Sequence, residues 1–160
     1  PPFIIHSSYI SKSIRESMNK RGKKILLFEG GKTNSIEEKV VNEGLDGIKR
    51  MLEHLQMRNF KFDNSLNREP IFIKNSKWIR ASHAGMFCLM VENGTKVLPG
   101  TILGIITDPF GKIERKVKSN VEGFVYCVNE TPVVNKGDAL FHIGVAIENP
   151  IVPEYKELYI

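Results

Sequence analysis

Hydrophobic positions follow two different patterns in the chain, and the change falls near residue 70. Residues 24–28 end in the apolar run Ile-Leu-Leu-Phe, and this run predicts a short buried strand because a strand covered on both faces does not alternate. Farther on, apolar residues recur at spacings of four and three, which predicts one face of an α-helix. These residues are Val41, Leu45, Ile48, Leu52 and Leu55.

Two helix starts carry the same signature. Ser13 is followed three residues later by Glu16, the form of a capping box in which each side chain bonds a backbone amide of the other. Gly22 suits the left-handed end of this helix. Ser35 and Glu38 repeat the signature before the apolar stripe. The predicted order is therefore helix, strand, loop and helix, part of an α/β layer.

Residues 57–69 are polar and show no periodic pattern, and we interpret them as the linker between two domains. We assign 1–60 to an α/β domain and 70–160 to a β domain, since short β-like runs and turn residues begin at 70. The β domain is duplicated, with copies at 81–108 and 119–147 offset by 37 or 38 residues. Such repetition predicts two similar units that share a core. The matched markers are Gly85 and Gly123, Val97 and Val134, Gly100 and Gly137, and Ile105 and Ile143.

Composition narrows the class of protein. The 160 residues are 41% hydrophobic and 26% charged, as in a soluble globular protein, and no apolar run reaches the roughly 18 residues of a membrane span. The net charge is +5, but the basic run 12–24 lacks interleaved aromatic residues, so we expect no nucleic-acid partner. With no signal peptide and only Cys88 and Cys127, we expect a cytoplasmic protein whose cysteines are free and buried.

Glu29 is the first candidate for chemistry. It directly follows the predicted strand 24–28 and precedes Gly30 and Gly31. Open α/β sheets place ligand sites at the carboxyl ends of strands, and glycine lets the backbone turn sharply there. A carboxylate in this place is either catalytic or simply a solvated or capping group, and its position leaves both readings open.

The chain resembles the succinylglutamate desuccinylase/aspartoacylase family, in particular the carboxy-terminal half of its predicted-deacylase branch. The duplicated part also resembles biotinyl and lipoyl domains. Together the matching stretches cover nearly all of 1–147, and each is weak by itself. They include Phe28-Glu29-Gly30-Gly31, Lys77-Trp78-Ile79-Arg80-Ala81, His83-Ala84-Gly85-Met86-Phe87, Thr107-Asp108-Pro109-Phe110-Gly111 and Asn135-Lys136-Gly137-Asp138.

The resemblance implies an α/β fragment of a zinc-carboxypeptidase-like fold followed by an all-β barrel-sandwich (biotinyl/lipoyl-like) module. It implies a zinc-dependent deacylase that cleaves an amide, or an ester, of a small carboxylate-bearing substrate. Glu29 takes the place of the family's catalytic glutamate, which acts on a zinc-bound water. The resemblance implies that Arg15 corresponds to an arginine whose planar fork binds the substrate carboxylate with two hydrogen bonds; the alternative is an exposed helix residue. His83, at the start of the first copy, is either an acyl-selecting residue or a surface histidine.

The chain departs from the family at the metal. The family's His-x-x-Glu zinc motif is absent, and no histidine is followed by a glutamate three residues later. Motifs of serine hydrolases, P-loop enzymes and zinc proteases are absent too. We therefore expect the zinc ligands to lie upstream of Pro1, and this chain by itself to be inactive. The histidines are His6, His54, His83 and His142.

Two other functions remain open. One is a carrier module, in which a biotinyl or lipoyl lysine stands on an exposed hairpin; Lys112 in the central turn is the candidate, but it lacks the usual Met-Lys-Met or Asp-Lys-Ala context. The other is a non-catalytic relative that binds a metabolite or a partner protein. A homo-oligomer is compatible with each of these functions.

Overall fold

The computed structural model describes residues 3–60, 70–145 and 147–148. These ranges contain two helices, α1 (Ile14–Lys20) and α2 (Glu38–His54), and eleven strands. The strands are β1 (Phe3–Ile5), β2 (Ile71–Ile73), β3 (Ser76–Arg80), β4 (Gly85–Leu89), β5 (Lys96–Val97), β6 (Ile102–Thr107), β7 (Glu114–Lys118), β8 (Gly123–Val128), β9 (Val133–Val134), β10 (Ala139–Gly144) and β11 (Ile147–Glu148).

The chain separates into two compact units. Residues 1–7 and 68–160 form one, which we call the β unit, and residues 8–67 form the other, which we call the helical unit. β1 belongs to the β unit because it pairs in parallel with β2, with Ile4 opposite Phe72. β11 pairs with the other edge of β2 in antiparallel orientation, which makes a mixed three-stranded sheet. The domain assignment 1–60 and 70–160 stays a prediction.

Two four-stranded antiparallel sheets make up most of the β unit. Their strand orders are β3-β10-β8-β5 and β7-β6-β4-β9. One buried cluster joins them, and every one of these eight strands contributes at least one apolar side chain to it. At its centre the rings of Phe87 and Phe141 meet edge to face, with centroids 5.9 Å apart. The cluster is the core that the duplicated copies share.

The predicted duplication is confirmed by equivalent turns in the two copies. Gly100 and Gly137 have φ of +93° and +96°, a left-handed conformation that favours glycine. The N–H of Gly100 donates to the carbonyl of Ser119 at 2.7 Å, and the N–H of Gly137 donates to that of Ala81 at 2.8 Å. Each copy therefore fastens its turn to the other copy, and each sheet is built from strands of both.

The start and end of α1 follow the sequence prediction. The Oγ of Ser13 accepts a hydrogen bond from the N–H of Glu16 at 3.2 Å. The return bond differs, because the Glu16 carboxylate accepts from the N–H of Lys12 at 2.7 Å and not from that of Ser13. Gly22 follows the helix with φ of +65°, and its N–H donates to the carbonyl of Asn19. A side-chain cap thus fixes the start of this helix, and a left-handed glycine fixes its end.

The predicted capping box at Ser35 is wrong. α2 begins at Glu38, and its N-cap residue Glu37 makes no side-chain cap bond. Ser35 lies instead in an isolated antiparallel bridge with Lys32. The tight turn that this bridge closes takes Ser35 out of the helix, which overrides the signature in the sequence.

The predicted buried strand at 24–28 is also wrong for this structure. Residues 23–30 have no regular secondary structure, and Leu26 is 90% exposed. The described part of the helical unit contains no strand beside which 24–28 could lie. A strand needs a neighbouring strand for its ladder of hydrogen bonds, so the apolar run alone cannot make one.

Neither Cys88 nor Cys127 forms a disulfide, as predicted, but both are exposed and not buried. Cys88 lies on β4 between Phe87 of the core and Leu89, which packs against the core, and it faces outward because alternate side chains of a strand face opposite sides. Cys127 lies on β8, beside the register shift between β8 and β10. Neither helix in the described ranges has the length and apolar character needed to cross a membrane.

Candidate functional site

Glu29 lies in the irregular segment between α1 and α2. Its side chain is exposed, and it forms no ion pair with any residue in the ranges that the structure describes. Gly31, two residues later, has φ of +84°, a left-handed backbone conformation that residues with a side chain rarely adopt. The sequence prediction that glycine shapes the backbone beside Glu29 is met at Gly31.

The segment before Glu29 rests against α2. A Cβ atom added to Gly44 would lie 3.0 Å from the ring of Phe28, and one added to Gly30 would lie 2.7 Å from Cγ1 of Val40. Glycine at these positions therefore permits a close approach between helix and segment. Phe28 and Gly30 flank Glu29 in sequence, so this contact sets where the carboxylate is presented.

Arg15 is the second residue of α1 and is half-buried. The helix is ordered around it by Glu16, whose carboxylate also pairs with Lys20 at 2.8 Å. The Lys20 ammonium, and then the N–H of Lys12, lower the pKa of Glu16 below its usual range. Glu16 thus stays ionised and supports the turn of helix that presents Arg15.

His83 belongs to the β unit, in the loop between β3 and β4. Its side chain is exposed, with Nδ1 3.0 Å from Oγ of Ser82. It lines a shallow cavity of about 140 Å³ beside the turn that joins the two copies. The other lining residues are Ala84, Ile106, Thr107, Asp108, Ile113 and Arg115.

Sequence reasoning placed His83 at the start of the first copy but missed Arg115 and Asp108 as its neighbours. Asp108 accepts the N–H of Ile113 at 2.7 Å, which closes the turn and brings β7 beside the end of β6. The Asp-Pro-Phe-Gly sequence predicts a turn, and this turn joins β6 and β7 in a hairpin. That hairpin is the signal from which the position of Arg115 near His83 could have been predicted. The cavity offers a guanidinium, an imidazole and an apolar floor.

The three predicted site residues are divided between the units: Arg15 and Glu29 belong to the helical unit, and His83 belongs to the β unit. None of them belongs to a potential metal site. In the described ranges no group of three or more His, Cys, Asp or Glu side chains is arranged to hold a metal ion. The described residues therefore do not provide a set of ligands that could hold zinc without help from other residues.

A further polar cluster escaped the sequence analysis. His142 of β10 has Nε2 2.7 Å from Oγ of Ser76 and Nδ1 2.6 Å from the hydroxyl of Tyr126. The register of the sheet shifts between His142 and Ile143, so the β8 strand has an extra residue here and Tyr126 reaches the imidazole. A β-bulge is set by strand pairing, and nothing in the local sequence marks it.

Solved structures share this fold. The apo ectoine utilization protein EutE (DoeB) from Ruegeria pomeroyi has a TM-score of 0.75 and 17% identity, with 91% of this chain and 47% of that protein covered. A succinylglutamate desuccinylase from Silicibacter sp. TM1040 has a TM-score of 0.75 and 16% identity, with 92% and 46% covered. A succinylglutamate desuccinylase/aspartoacylase family protein from Shewanella amazonensis has a TM-score of 0.64 and 17% identity, with 84% and 40% covered.

No protein-family profile and no curated protein matches the sequence. The structural likeness nevertheless confirms the resemblance to the succinylglutamate desuccinylase/aspartoacylase family at the level of the fold. The chain spans somewhat less than half the length of the solved proteins named above, and more than nine tenths of it matches the first two.

Proposed function

We propose that the whole protein is a zinc-dependent deacylase that cleaves an N-acyl amide of a small, carboxylate-bearing substrate. The observation that carries the proposal is the position of Glu29, which follows an apolar run and precedes two glycines. The fold of the chain also matches a desuccinylase-family protein over nine tenths of the chain's length. The zinc ligands would come from outside this chain, since the described residues provide none. Bound zinc would lower the pKa of a water molecule and polarise the acyl carbonyl.

Glu29 would move the proton in this reaction. The carboxylate accepts a proton from the attacking water as the new bond to the acyl carbon forms, and it delivers that proton to the amine nitrogen as the carbon–nitrogen bond breaks. Its exposure supports this role, because a carboxylate sealed in an ion pair inside the unit could not reach a substrate.

Arg15 and His83 would bind the substrate. The guanidinium of Arg15 suits a carboxylate because it donates two parallel hydrogen bonds. His83 would select the acyl group from the rim of the cavity in the β unit. A cytoplasmic location and a small acylated substrate remain predictions from the sequence.

We further propose that the β unit is a barrel-sandwich module of the biotinyl/lipoyl kind. The proposal is supported by two four-stranded sheets that share one core and exchange strands between duplicated copies. Equivalent strands also bury equivalent positions: β3 and β7 each bury only their fourth residue.

The test is Glu29→Gln in the full-length protein, with Glu43→Gln on the exposed face of α2 as the matched control. Loss of the proton carrier should lower kcat by roughly 10²–10⁴-fold and leave zinc content and thermal stability unchanged. The control should keep parental activity. Parental turnover in the Glu29→Gln enzyme would show that the assigned role is wrong.

The second candidate is a non-catalytic relative that binds a metabolite, and the cavity lined by His83 and Arg115 favours it. Metal analysis of the full-length protein separates the two functions. About one zinc per chain supports the deacylase, whereas an intact fold without zinc supports the binding protein.

A further inference from the structure

The cavity of the β unit is built at the end of the hairpin that β6 and β7 form. Ile106 lies opposite Arg115 in this hairpin, and Asp108 follows Ile106 by two residues. Side chains alternate along a strand, so these three side chains lie on the same side of the hairpin. One side of the cavity therefore combines the buried side chain of Ile106 with two groups of opposite charge.

The loop between β3 and β4 forms the other side of the cavity. A Cβ atom added to Gly85 would lie 2.8 Å from Cγ2 of Ile106 and would also contact the carbonyl oxygen of Thr107. Glycine therefore lets this loop approach the end of β6 closely. The approach places His83 and Ala84 on the lining of the cavity. All of the lining residues belong to the β unit.

The two charged groups of the cavity do not neutralise each other. Oδ1 of Asp108 accepts the N–H of Ile113 at 2.7 Å, but the carboxylate forms no ion pair with any residue in 3–60, 70–145 or 147–148. The guanidinium of Arg115 likewise forms no ion pair within these ranges. A carboxylate accepts about four hydrogen bonds and a guanidinium donates about five, so both groups keep capacity for a ligand.

The register of the hairpin sets the spacing of the two charges. The N–H of Asp108 donates to the carbonyl of Ile113 at 3.2 Å, which places these two residues opposite each other. Arg115 lies two residues beyond Ile113, so Arg115 and Asp108 are diagonal neighbours across the hairpin. Diagonal neighbours in an antiparallel pair are about 7–8 Å apart. A gap of this size suits a small molecule that carries both charges.

We propose that this cavity binds a free α-amino acid with a short aliphatic side chain. The guanidinium of Arg115 donates two parallel hydrogen bonds to the α-carboxylate, and the carboxylate of Asp108 accepts a hydrogen bond from the α-ammonium. Ile106 and Ile113 contact the aliphatic side chain. The proposal names the class of metabolite for the second candidate function and rests on the cavity that favours that function, but it requires neither zinc nor Glu29.

Other small ligands fit this lining less well. A dicarboxylate or a phosphate would bring a second negative charge close to Asp108, and like charges repel. An N-acylated amino acid has a neutral amide nitrogen, which cannot form an ion pair with a carboxylate. Sites for drug-sized ligands enclose roughly 300–1,000 Å³. The volume here is about 140 Å³, so only a small molecule has room.

Methyl NMR of the full-length protein tests the proposal, with L-valine as the probe. Valine should shift the methyl signals of Ile106 and Ile113, and the shift should saturate at roughly millimolar concentration. Three analogues each remove one feature: 3-methylbutanoate lacks the ammonium, isobutylamine lacks the carboxylate, and N-acetyl-L-valine has a neutral nitrogen. Each analogue should bind at least roughly 10-fold more weakly than valine, because it loses a charge-assisted hydrogen bond.

Two variants assign the contacts. Arg115→Gln should weaken valine binding at least roughly 10-fold and should not weaken isobutylamine, which has no carboxylate to lose. Asp108→Asn should weaken valine by a similar factor and should not weaken 3-methylbutanoate. The amide oxygen of the new side chain can still accept the N–H of Ile113, so the turn is kept.

The matched controls lie on the same strand. Lys116→Gln removes a positive charge and Glu114→Gln removes a negative charge. Both residues flank Arg115 in sequence, so their side chains face the opposite side of β7, and neither lines the cavity. Valine affinity should be unchanged in both controls.

Four results would overturn the proposal. They are the absence of a saturable shift with valine, equal affinity for valine and 3-methylbutanoate, equal affinity for valine and N-acetyl-L-valine, and equal weakening of valine by Arg115→Gln and Lys116→Gln. Turnover and zinc content are not measured in any arm. Failure of the deacylase assignment would therefore leave valine binding intact, and failure of valine to bind would leave other metabolites open to the second candidate function.

Discussion

The indole of Trp78 stacks on the imidazole of His142, with ring centroids 3.8 Å apart and planes 18° from parallel. The two residues are directly opposite each other on β3 and β10. With Ser76 and Tyr126 at its two nitrogens, the imidazole on β10 has partners on both neighbouring strands, β3 and β8. Stacking and hydrogen bonding together stabilise the packing of side chains on the outer face of this sheet.

We expect His142 to make the β unit less stable in acid. Burial lowers the pKa of His142 below its ordinary value of 6.5, so the unfolded chain takes up a proton before the folded chain does. The stabilising term is present above about 6.5 and is lost as pH falls through the folded pKa. NMR titration of the imidazole should give the lowered pKa. Urea denaturation should show a smaller acid loss in His142→Gln than in the parent, and an equal loss would contradict the assignment.

Ser13 and Ser35 provide a matched test of helix capping. Ser13→Ala removes the bond to the N–H of Glu16 and should cost about 1 kcal/mol of helix stability. Ser35→Ala should cost much less, because α2 begins at Glu38 without a cap bond from Ser35. Exchange rates of the first-turn amides of each helix measure the difference. Equal effects would mean that Ser35 caps α2 after all.

Gly47 and Gly44 of α2 should respond differently to alanine. Space around Gly47 is open, so Gly47→Ala should stabilise the helix by about 0.5–1 kcal/mol. Gly44→Ala should gain less, because its Cβ would lie 3.0 Å from the Phe28 ring and the ring would have to move. Thermal denaturation of the full-length protein gives the order. A larger gain at Gly44 would show that Phe28 does not pack there.

Arg15→Lys should raise KM for a carboxylate-bearing substrate by roughly 10-fold and change kcat little, because lysine keeps the charge and loses the two-pronged geometry. Arg21→Lys, at the exposed end of α1, is the control and should leave KM unchanged. Steady-state kinetics of the full-length enzyme supply both constants. A KM that does not respond to Arg15→Lys would remove Arg15 from the binding site.

Several local features could be predicted from the sequence. The cap at Ser13, the left-handed Gly22 and the turns at Gly100 and Gly137 all occur where the sequence places them. Each depends on contacts between residues a few positions apart, or on a backbone conformation that glycine favours. The apolar face of α2 could be predicted for the same reason, since the spacing of apolar residues along a helix is a local property of the sequence.

Features that depend on distant partners could not be predicted. The apolar run 24–28 indicates a strand, but a strand needs a neighbour, and the described helical unit provides none. The sequence showed the duplication, but the exchange of strands between copies emerged only from the pairing of β5 with β8 and of β4 with β9. The Ser76–His142–Tyr126 cluster likewise required three strands and a bulge.

By itself, the sequence determined both ends of α1, the repeated β unit, the candidate carboxylate at Glu29 and the resemblance to a family. Only the tertiary structure decided that Glu29 is exposed, that His83 borders a cavity with Arg115, and that no side chain is buried among residues 8–60. The physical reason is that capping, turns and periodicity act along the chain, whereas burial and strand pairing depend on residues far away in sequence.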